Sequence, residues 1–366
     1  MVAPRLSERL DPTRNSLTLV RLGLAVLVVA SHSFVLATGD RVADPFKGWT
    51  GYSLGDHAVN VFFVLSGIVT TASLLRTCSP SRFLAARALR VVPAVVVFAV
   101  VMALFVGPLV TTLPIGRYVA SPEILAYIAR TAAFAPGHPL LPGVFAANPM
   151  ADITNEPLWT VKYEILCYLV LALAGWLALR QGRPARAALN LLAFGALVVV
   201  VGYLVSTTLV RLPLPETAHH LARFLYCFAL GVTAFAFADR IRLDWRWLAA
   251  LALLYALTFT TPLRPAVSVL LTGYAALLAA LPTYGPLRTL TNRYDLSYGT
   301  YVMGWPVAQV LVQFAAPLSV AMLTLATLAI TLPLALVSWV GVERPALSLK
   351  RRRHTPVAEP LAAPAE

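Results

Sequence analysis

Charged residues are scarce in this sequence, and acidic residues are scarcer than basic ones. Asp, Glu, Lys and Arg together make up 12% of the 366 residues, which is about half of the share in a typical soluble domain. Apolar residues make up 59%, and apolar runs of about 20 residues recur along the whole length. This composition excludes a soluble fold, because so many apolar helices would leave no polar surface for water.

Cysteine is also rare. The three cysteines, Cys78, Cys167 and Cys227, lie far apart, and none belongs to a CxxC pair or a Cys/His cluster. This spacing argues against a disulfide framework and against a zinc site. We therefore predict no bound metal and no permanently bound cofactor.

Positive charge exceeds negative charge, with a formal net charge of +13. The basic residues lie in short loops between apolar runs, and the sequence has no basic groove with interleaved aromatic residues. The charge therefore indicates the positive-inside pattern of a membrane protein rather than a nucleic-acid partner. The predicted partner is the lipid bilayer.

The apolar runs predict an all-α polytopic membrane protein with about ten transmembrane helices and both termini in the cytoplasm. The ten predicted spans are 17–38, 58–75, 91–111, 158–179, 188–208, 219–238, 246–262, 265–281, 296–315 and 318–341. The basic N-terminus resembles a signal peptide. Its apolar run is too long for one and contains Arg21, so we expect a retained first span.

Three regions follow from this pattern. We predict a cytoplasmic N-terminal segment at 1–16, a transmembrane domain at 17–347, and a cytoplasmic tail at 348–366 that is basic, then rich in Pro and Ala, and disordered. With a cytoplasmic N-terminus, 20 of the 29 basic residues fall in inside segments, six in outside loops and three within spans. This asymmetry supports the orientation and the even number of spans.

The first predicted span carries two ionisable residues, Arg21 and His32. Eleven residues of α-helix make about three turns, so both side chains lie on one face, roughly 16 Å apart along the axis. Ionisable groups in spans normally face the bundle interior or a wet cavity. Taken singly, Arg21 could snorkel and His32 could bind a neighbouring carbonyl. Taken as a pair, they favour function, with the neutral His32 imidazole as general base on a hydroxyl.

Glu164 is the acidic residue that lies well inside a predicted span. It follows the entry of that span by about two turns, which places it in the outer half of the membrane. It could form an ion pair with Lys162 or Arg223, or it could orient His32 and position an acceptor.

Other polar residues accompany these. Asn60 and Ser66 lie in the second span, where polar groups often join helices. Arg87 and Arg90 are neighbours at i, i+3 on the helix that enters the third span. They could be ordinary positive-inside charge, but an Arg pair at this spacing is also a good phosphate clamp.

Six motifs occur together in a characteristic order. They are the Arg21-x10-His32 pair, "VNVFFVLSG" at 59–67, "RFLAARALRVVP" at 82–93, "PLWTVKYEILCYL" at 157–169, "DLSYGTYVMGWPV" at 295–307 and "VERPA" at 342–346. With these motifs the chain resembles the membrane acyltransferase-3 family, the bacterial O-acyltransferases of cell-surface glycans and some natural products. The resemblance runs from residue 17 to about residue 347 and makes 17–347 an acyltransferase-3-like domain.

The resemblance implies an acyl-coenzyme A-dependent acyltransferase of the bacterial inner membrane. Such an enzyme moves an acyl group, acetyl by base rate, from the cytoplasmic donor to a hydroxyl of a cell-envelope glycan. It implies His32 and Glu164 as catalytic residues, with His32 either as general base or as a transiently acylated group. The donor would contact Arg21, Arg87 and Arg90. The further contacts expected for the acceptor or an oxyanion are Asn60, Ser66, Trp159 and Tyr298.

Three positions depart from the family's pattern. Asn60 stands where Asp is common, Tyr163 where the first Glu of a pair is common, and Gly304 where His is common. Acylation of a small natural product such as a macrolide stays open as an alternative. So does a lipid or glycan transporter, although no inverted repeat is visible, and so does a structural membrane subunit, which would not need the Arg/His pair.

Overall fold

The computed structural model describes residues 3–11, 15–135, 137, 139–179, 185–210, 215–282, 284–315 and 317–352. Throughout these ranges the chain is helical and has no β-strand, apart from two isolated bridges, Arg5 with Arg242 and Thr111 with Val144. The predicted all-α class is therefore confirmed.

Ten main helices overlap the ten predicted spans. They are α1 (Leu17–Thr38), α2 (Leu54–Thr77), α3 (Pro80–Val101), α4 (Val161–Leu179), α5 (Ala185–Val205), α6 (Glu216–Ala236), α7 (Trp245–Leu257), α8 (Arg264–Ala279), α9 (Ser297–Phe314) and α10 (Val320–Ser338). Several are extended: α3 by Met102–Val106 and Gly107–Val110, α5 by Ser206–Val210, α10 by Trp339–Glu343, and α4 at its start by the 3₁₀ turn Pro157–Thr160. Shorter helices are Leu6–Arg9, Pro45–Thr50, Ile115–Val119, Glu123–Ala132, Gly285–Arg293 and Arg344–Arg352.

Six of the helices in the described part of the chain, α1 to α5 and α10, are long and apolar enough to cross a bilayer. The helices α7 and α8 are apolar but shorter. The structure therefore supports a multi-pass membrane protein. The number of ten crossings and the sidedness of the termini stay predictions.

The helices α1 and α2 form the centre of the bundle. The α1 helix packs against α2, α9 and α10, and α2 packs against α1, α6 and α8. In contrast, α7 has no buried residue and packs mainly on α8. Large apolar side chains on α4 and α5, such as Leu173, Trp176 and Phe194, are exposed on the outside of the bundle, where a membrane protein meets lipid.

The α2 and α6 helices cross at two glycines, and their backbones nearly touch there. A Cβ placed on Gly67 would lie 2.2 Å from the Phe228 carbonyl oxygen, and one on Gly231 would lie 2.0 Å from the Val64 carbonyl oxygen. Small residues permit this close approach between membrane helices. The crossing fixes α6 against α2, and with it the side chains that α6 presents to the interior.

The long loop between α3 and α4 packs on α9. The Trp305 indole donates to the Ile153 carbonyl at 2.9 Å, and the Gln309 amide donates to the Met150 carbonyl at 2.8 Å. The loop contains the short helix Glu123–Ala132, with Ile124 and Tyr127 buried. Side chains of α9 thus donate hydrogen bonds to the buried Met150 and Ile153 carbonyl groups of this loop.

The start of α1 and the segment after α10 meet at one end of the bundle, where Arg21 and Leu347 line the same cavity. The last helix, Arg344–Arg352, runs through the boundary expected between 347 and 348. Residues 353–366 of the predicted tail lie outside the described residues.

Replacing either crossing glycine by Ala should lower the thermal unfolding midpoint of the protein in detergent. The added Cβ has no space against a backbone oxygen, so the helices must separate, at a cost of about 1–3 kcal/mol. The control is Gly195→Ala on α5, whose Cβ would meet nothing within 4 Å. Equal midpoints for Gly67→Ala, Gly231→Ala and Gly195→Ala would contradict the tight crossing.

Candidate active site

Two cavities lie in the interior of the bundle. The first, which we call the arginine cavity, has a volume of about 330 Å³ and is lined by Arg21, Arg87, Arg90, Ser66, Glu164 and Tyr298, among others. The second, which we call the histidine cavity, has a volume of about 660 Å³ and is lined by His32, Tyr52, Asp56, Trp159, Arg223 and Trp305, among others. The sequence-predicted site residues other than Asn60 are therefore divided between these two cavities.

An ion-pair network spans the arginine cavity. The Asp295 carboxylate accepts from Arg90 at 2.5 Å and from Arg21 at 3.1 Å, and Arg90 also lies 3.5 Å from the Glu343 carboxylate. The side chain of Glu343 is 1% exposed and that of Arg90 is 14% exposed. Two of the three arginines predicted to bind the donor are therefore neutralised by carboxylates of the protein itself.

Arg87 differs from these two arginines. No carboxylate lies within ion-pair distance of it among the described residues, and its Nε is buried without a hydrogen-bond partner. Its guanidinium lies 5.9 Å from the centre of the Phe83 ring. Arg87 is thus the arginine of this cavity whose charge is best placed to meet an anionic ligand.

Glu164 belongs to the arginine cavity and not to the surroundings of His32. Its carboxylate accepts a hydrogen bond from Tyr168, whose hydroxyl accepts from Ser66 at 3.3 Å. Among the described residues no hydrogen bond joins Glu164 to His32, so the structure does not bring these two predicted catalytic residues together. Of the two cations considered as ion-pair partners of Glu164, Arg223 pairs with Asp56 at 2.9 Å and Lys162 lines the histidine cavity.

The rotation of α4 about its axis explains why Glu164 lines the arginine cavity and not the histidine cavity. Val161, Glu164 and Tyr168 follow an i, i+3, i+7 spacing and face the arginine cavity. Trp159 and Lys162, which precede and interleave with them, face the histidine cavity. The 3₁₀ turn at the start of α4 sets this rotation, and the sequence pattern alone does not reveal it.

His32 lies on α1 against Trp305, with the ring centres 5.0 Å apart and the planes nearly perpendicular. Its Nδ1 is buried without a hydrogen-bond partner. The nearby carboxylates are occupied: Asp44 accepts from Ser31 at 2.6 Å and Asp56 from Arg223. Among the described residues, no carboxylate therefore orients the His32 ring, and its position depends on packing against Trp305.

The charges that line the histidine cavity balance. Its four carboxylates belong to Asp44, Asp56, Glu156 and Glu216, and its four cations to Arg41, Lys47, Lys162 and Arg223. Aromatic rings lie among them: Trp159 contacts the rings of His220 and Tyr163 at centroid distances of 4.7 and 5.7 Å. A chamber with no excess charge and with both polar and aromatic groups suits an uncharged, hydroxyl-rich ligand.

Comparisons with known proteins agree with this geometry. The family model described as an acyltransferase domain matches residues 14–342. The chain belongs to the acyltransferase-3 family. It is 26% identical to nodulation protein 10 of Rhizobium leguminosarum bv. viciae over 94% of this chain and 96% of the relative. It is 23% identical to the O-acetyl transferase of Shigella phage Sf6 over 81% of this chain and 86% of the relative. No solved structure shows significant similarity.

The four further residues predicted to bind substrate lie in different places in this acyltransferase. Trp159 lines the histidine cavity, whereas Ser66 and Tyr298 line the arginine cavity. The Tyr298 hydroxyl is already engaged, since it donates to the Val91 carbonyl at 3.1 Å. Asn60 is fully buried and lines neither cavity, so a direct contact with substrate is not supported for it.

The structure also accounts for one departure from the family's pattern. Gly304 packs on α1, where a Cβ would lie 2.5 Å from the Val29 side chain. No larger side chain fits at this position, so the neighbouring Trp305 supplies the contact with His32.

Sequence reasoning missed the two carboxylates of the acyltransferase's ion-pair network. Asp295 opens the "DLSYG" motif and Glu343 belongs to the "VERP" motif, so the motifs themselves were a signal. Both residues lie just outside the ends of predicted spans, where acidic residues are common and suggest no partner. Their pairing with Arg90 requires contacts across more than 200 residues of sequence, which no local pattern reports.

Replacing Arg90 by Gln should destabilise the acyltransferase strongly. The change leaves Glu343 buried without its cation, and breaking a buried pair from one side costs about 3–5 kcal/mol. The matched control is Arg87→Gln, three residues away in the same cavity. Thermal unfolding of both variants in detergent checks the prediction, which fails if both midpoints fall equally.

Proposed function

We propose that this acyltransferase moves an acyl group, most simply acetyl, from acyl-coenzyme A in the arginine cavity to a hydroxyl in the histidine cavity. The observation that carries the proposal is the division of the site into two chambers that adjoin. One chamber is lined by three arginines, and the other by His32 together with His219 and His220. In this arrangement coenzyme A is a co-substrate and no permanent cofactor is needed.

The arginine cavity suits the donor. Guanidinium groups bind phosphate through charge-assisted hydrogen bonds, and Arg87 is the one that forms no ion pair with a carboxylate of the described chain. Arg21 and Arg90 then stabilise the wall of the donor site by their ion pairs with Asp295. The positive-inside asymmetry supports a position of this end of the bundle at the cytoplasmic face of a bacterial inner membrane, and acyl-coenzyme A is made in the cytoplasm.

The histidine cavity suits the acceptor. Its balanced charge and its Trp159 ring favour an uncharged carbohydrate over an anionic or strongly cationic compound. The relative named O-acetyl transferase supports a hydroxyl as the acceptor group and acetyl as the donor group. We therefore place a cell-envelope glycan first as acceptor and a small natural product such as a macrolide second.

His32 is the general base in this proposal. Its imidazole takes the proton from the acceptor hydroxyl as the oxygen attacks the thioester carbonyl. The new C–O bond forms, the C–S bond breaks, and the leaving thiolate of coenzyme A takes the proton from the imidazolium. In the alternative route, His32 itself attacks the thioester and carries the acyl group briefly before the hydroxyl accepts it.

Glu164 acts on the donor side. With Tyr168 and Ser66 it forms a hydrogen-bonded row along the arginine cavity. Such a row can hold the amide groups of the pantetheine arm, which both donate and accept hydrogen bonds. Glu164 is then a binding residue rather than the partner of His32.

Replacing His32 by Ala should abolish the release of free coenzyme A from radiolabelled acetyl-coenzyme A by the purified protein in nanodiscs. Loss of a general base typically lowers turnover by about 10²–10⁴-fold. The control is His57→Gln, a histidine on α2 that binds Thr50 and lines neither cavity. Label retained on the wild-type protein favours the acyl-enzyme route. Full turnover by His32→Ala would exclude both routes.

Replacing Arg87 by Gln should raise KM for acetyl-coenzyme A with a smaller effect on kcat. A lost hydrogen bond to a charged group costs about 1.5–3 kcal/mol, which corresponds to roughly ten- to hundredfold weaker donor binding. Arg76→Gln, which changes an arginine outside the cavity lining, is the control. An unchanged KM in Arg87→Gln would contradict the assignment of the arginine cavity to the donor.

A further inference from the structure

The two cavities share part of their walls. Three residues line both: Val59 on α2, Thr160 in the turn before α4, and Tyr301 on α9. They come from three separate elements and converge between the chambers. We call this set the partition.

Tyr301 is the largest member of the partition and is held in place at its hydroxyl. The hydroxyl lies 2.6 Å from the Thr160 hydroxyl and 3.0 Å from the Pro157 carbonyl oxygen, to which it donates. Its ring meets the ring of Phe62 edge-on at 6.0 Å. The ring therefore stands across the boundary, anchored at one end to the turn that begins α4.

The position of Tyr301 along α9 connects the two chambers. Tyr298 lies three residues before it and lines the arginine cavity, and Trp305 lies four residues after it and packs against His32. Residues at this spacing share one helix face. The face of α9 thus runs from the wall of the donor chamber, past Tyr301, to the imidazole.

We propose that Tyr301 is the gate and the acyl-size filter of this enzyme. The inference rests on the proposed function, because an acyl group that starts in the arginine cavity and reaches His32 must pass the partition. While its hydroxyl is hydrogen-bonded to Thr160 and Pro157, Tyr301 closes the passage between the two cavities. Released from them, its ring turns aside, and the space that it leaves admits a short acyl chain and rejects a long one.

Tyr301 acts because its ring occupies the passage and its hydrogen bonds hold the ring there. No covalent step involves it. Val59 and Thr160 are small, so the passage depends mainly on the position of the tyrosine ring. Two substitutions separate its two properties. Tyr301→Phe keeps the ring and removes the anchor, and Tyr301→Ala removes both.

The first test compares acetyl-, butyryl- and octanoyl-coenzyme A as donors for the full-length protein in nanodiscs. We expect the ratio of kcat/KM for acetyl over octanoyl to fall at least tenfold in Tyr301→Ala. Tyr301→Phe removes the hydrogen bonds to Thr160 and Pro157, and Thr160→Val removes the first of these two. Thr160→Val should therefore change the ratio in the same direction, and the double variant should add little to Tyr301→Phe. Tyr255→Ala on α7, outside both cavities, is the control. An active Tyr301→Ala that keeps the wild-type ratio would overturn the filter.

The second test does not depend on enzymatic activity. In a protein whose three natural cysteines are changed to Ala, Ser66→Cys reports on the arginine cavity and Lys47→Cys on the histidine cavity. A charged, membrane-impermeant thiol reagent is added to sealed vesicles from the side on which Lys47→Cys reacts. From that side, Ser66→Cys should react at least tenfold faster once Tyr301→Ala or Tyr301→Phe is added.

The two tests distinguish the possible failures. Faster labelling in a protein that turns over no acyl-coenzyme A would leave the gate standing and would reject the proposed function. Normal turnover with an unchanged acyl preference and unchanged labelling would reject the gate alone. Tyr301→Phe keeps the packed ring, so the labelling test holds even where Tyr301→Ala fails to fold.

Discussion

The pairing of Arg90 with Asp295 and Glu343 is the interaction on which the donor side of this protein depends. It joins α3 to the start of α9 and to the end of α10, and Arg21 brings in α1 through the same Asp295 carboxylate. An unpaired guanidinium within a membrane bundle is energetically costly. Arg90 therefore needs its carboxylate partners for folding as well as for function. Four elements are thus held around one cavity, and Arg87, one turn earlier on α3, is presented to that cavity.

This network also separates structural charge from functional charge. A buried ion pair adds little net stability but penalises every arrangement that leaves one partner alone. In the arginine cavity the penalty fixes the positions of Arg21 and Arg90, whereas Arg87 forms no direct ion pair within the described chain, and Glu164 is the unpaired carboxylate that shares its cavity. In the histidine cavity Asp56 and Arg223 play the corresponding structural part, and His32 lies beside them against an aromatic ring. In each chamber, ion-paired residues thus hold the wall, and one further residue, Arg87 or His32, is available to contact a ligand.

The sequence predicted where the ten main helices run because membrane helices appear as apolar runs, and six of them are long and apolar enough to cross a bilayer. It predicted that Arg21 and His32 share one helix face, and each lines a cavity in the interior. The sequence did not predict which cavity Glu164 lines. That depends on the rotation of α4 about its axis, which is set by a turn that begins outside the apolar run. Sequence reasoning overlooked Asp295 and Glu343, whose partners are distant in the chain. Local periodicity reports where a helix runs, but pairing between helices is decided by packing.

The partition between the chambers is built from neutral residues, and this choice has a physical consequence. Val59, Thr160 and Tyr301 carry no charge, and they lie between a chamber of arginines and a chamber of balanced charge. Moving a phosphate into such a passage without its counter-charges would cost many times the thermal energy. A neutral acyl group meets no such barrier. In the proposed reaction the same wall would therefore hold coenzyme A on the arginine side and let its acyl group reach His32, so that the division of charge between the chambers determines the side on which the donor binds.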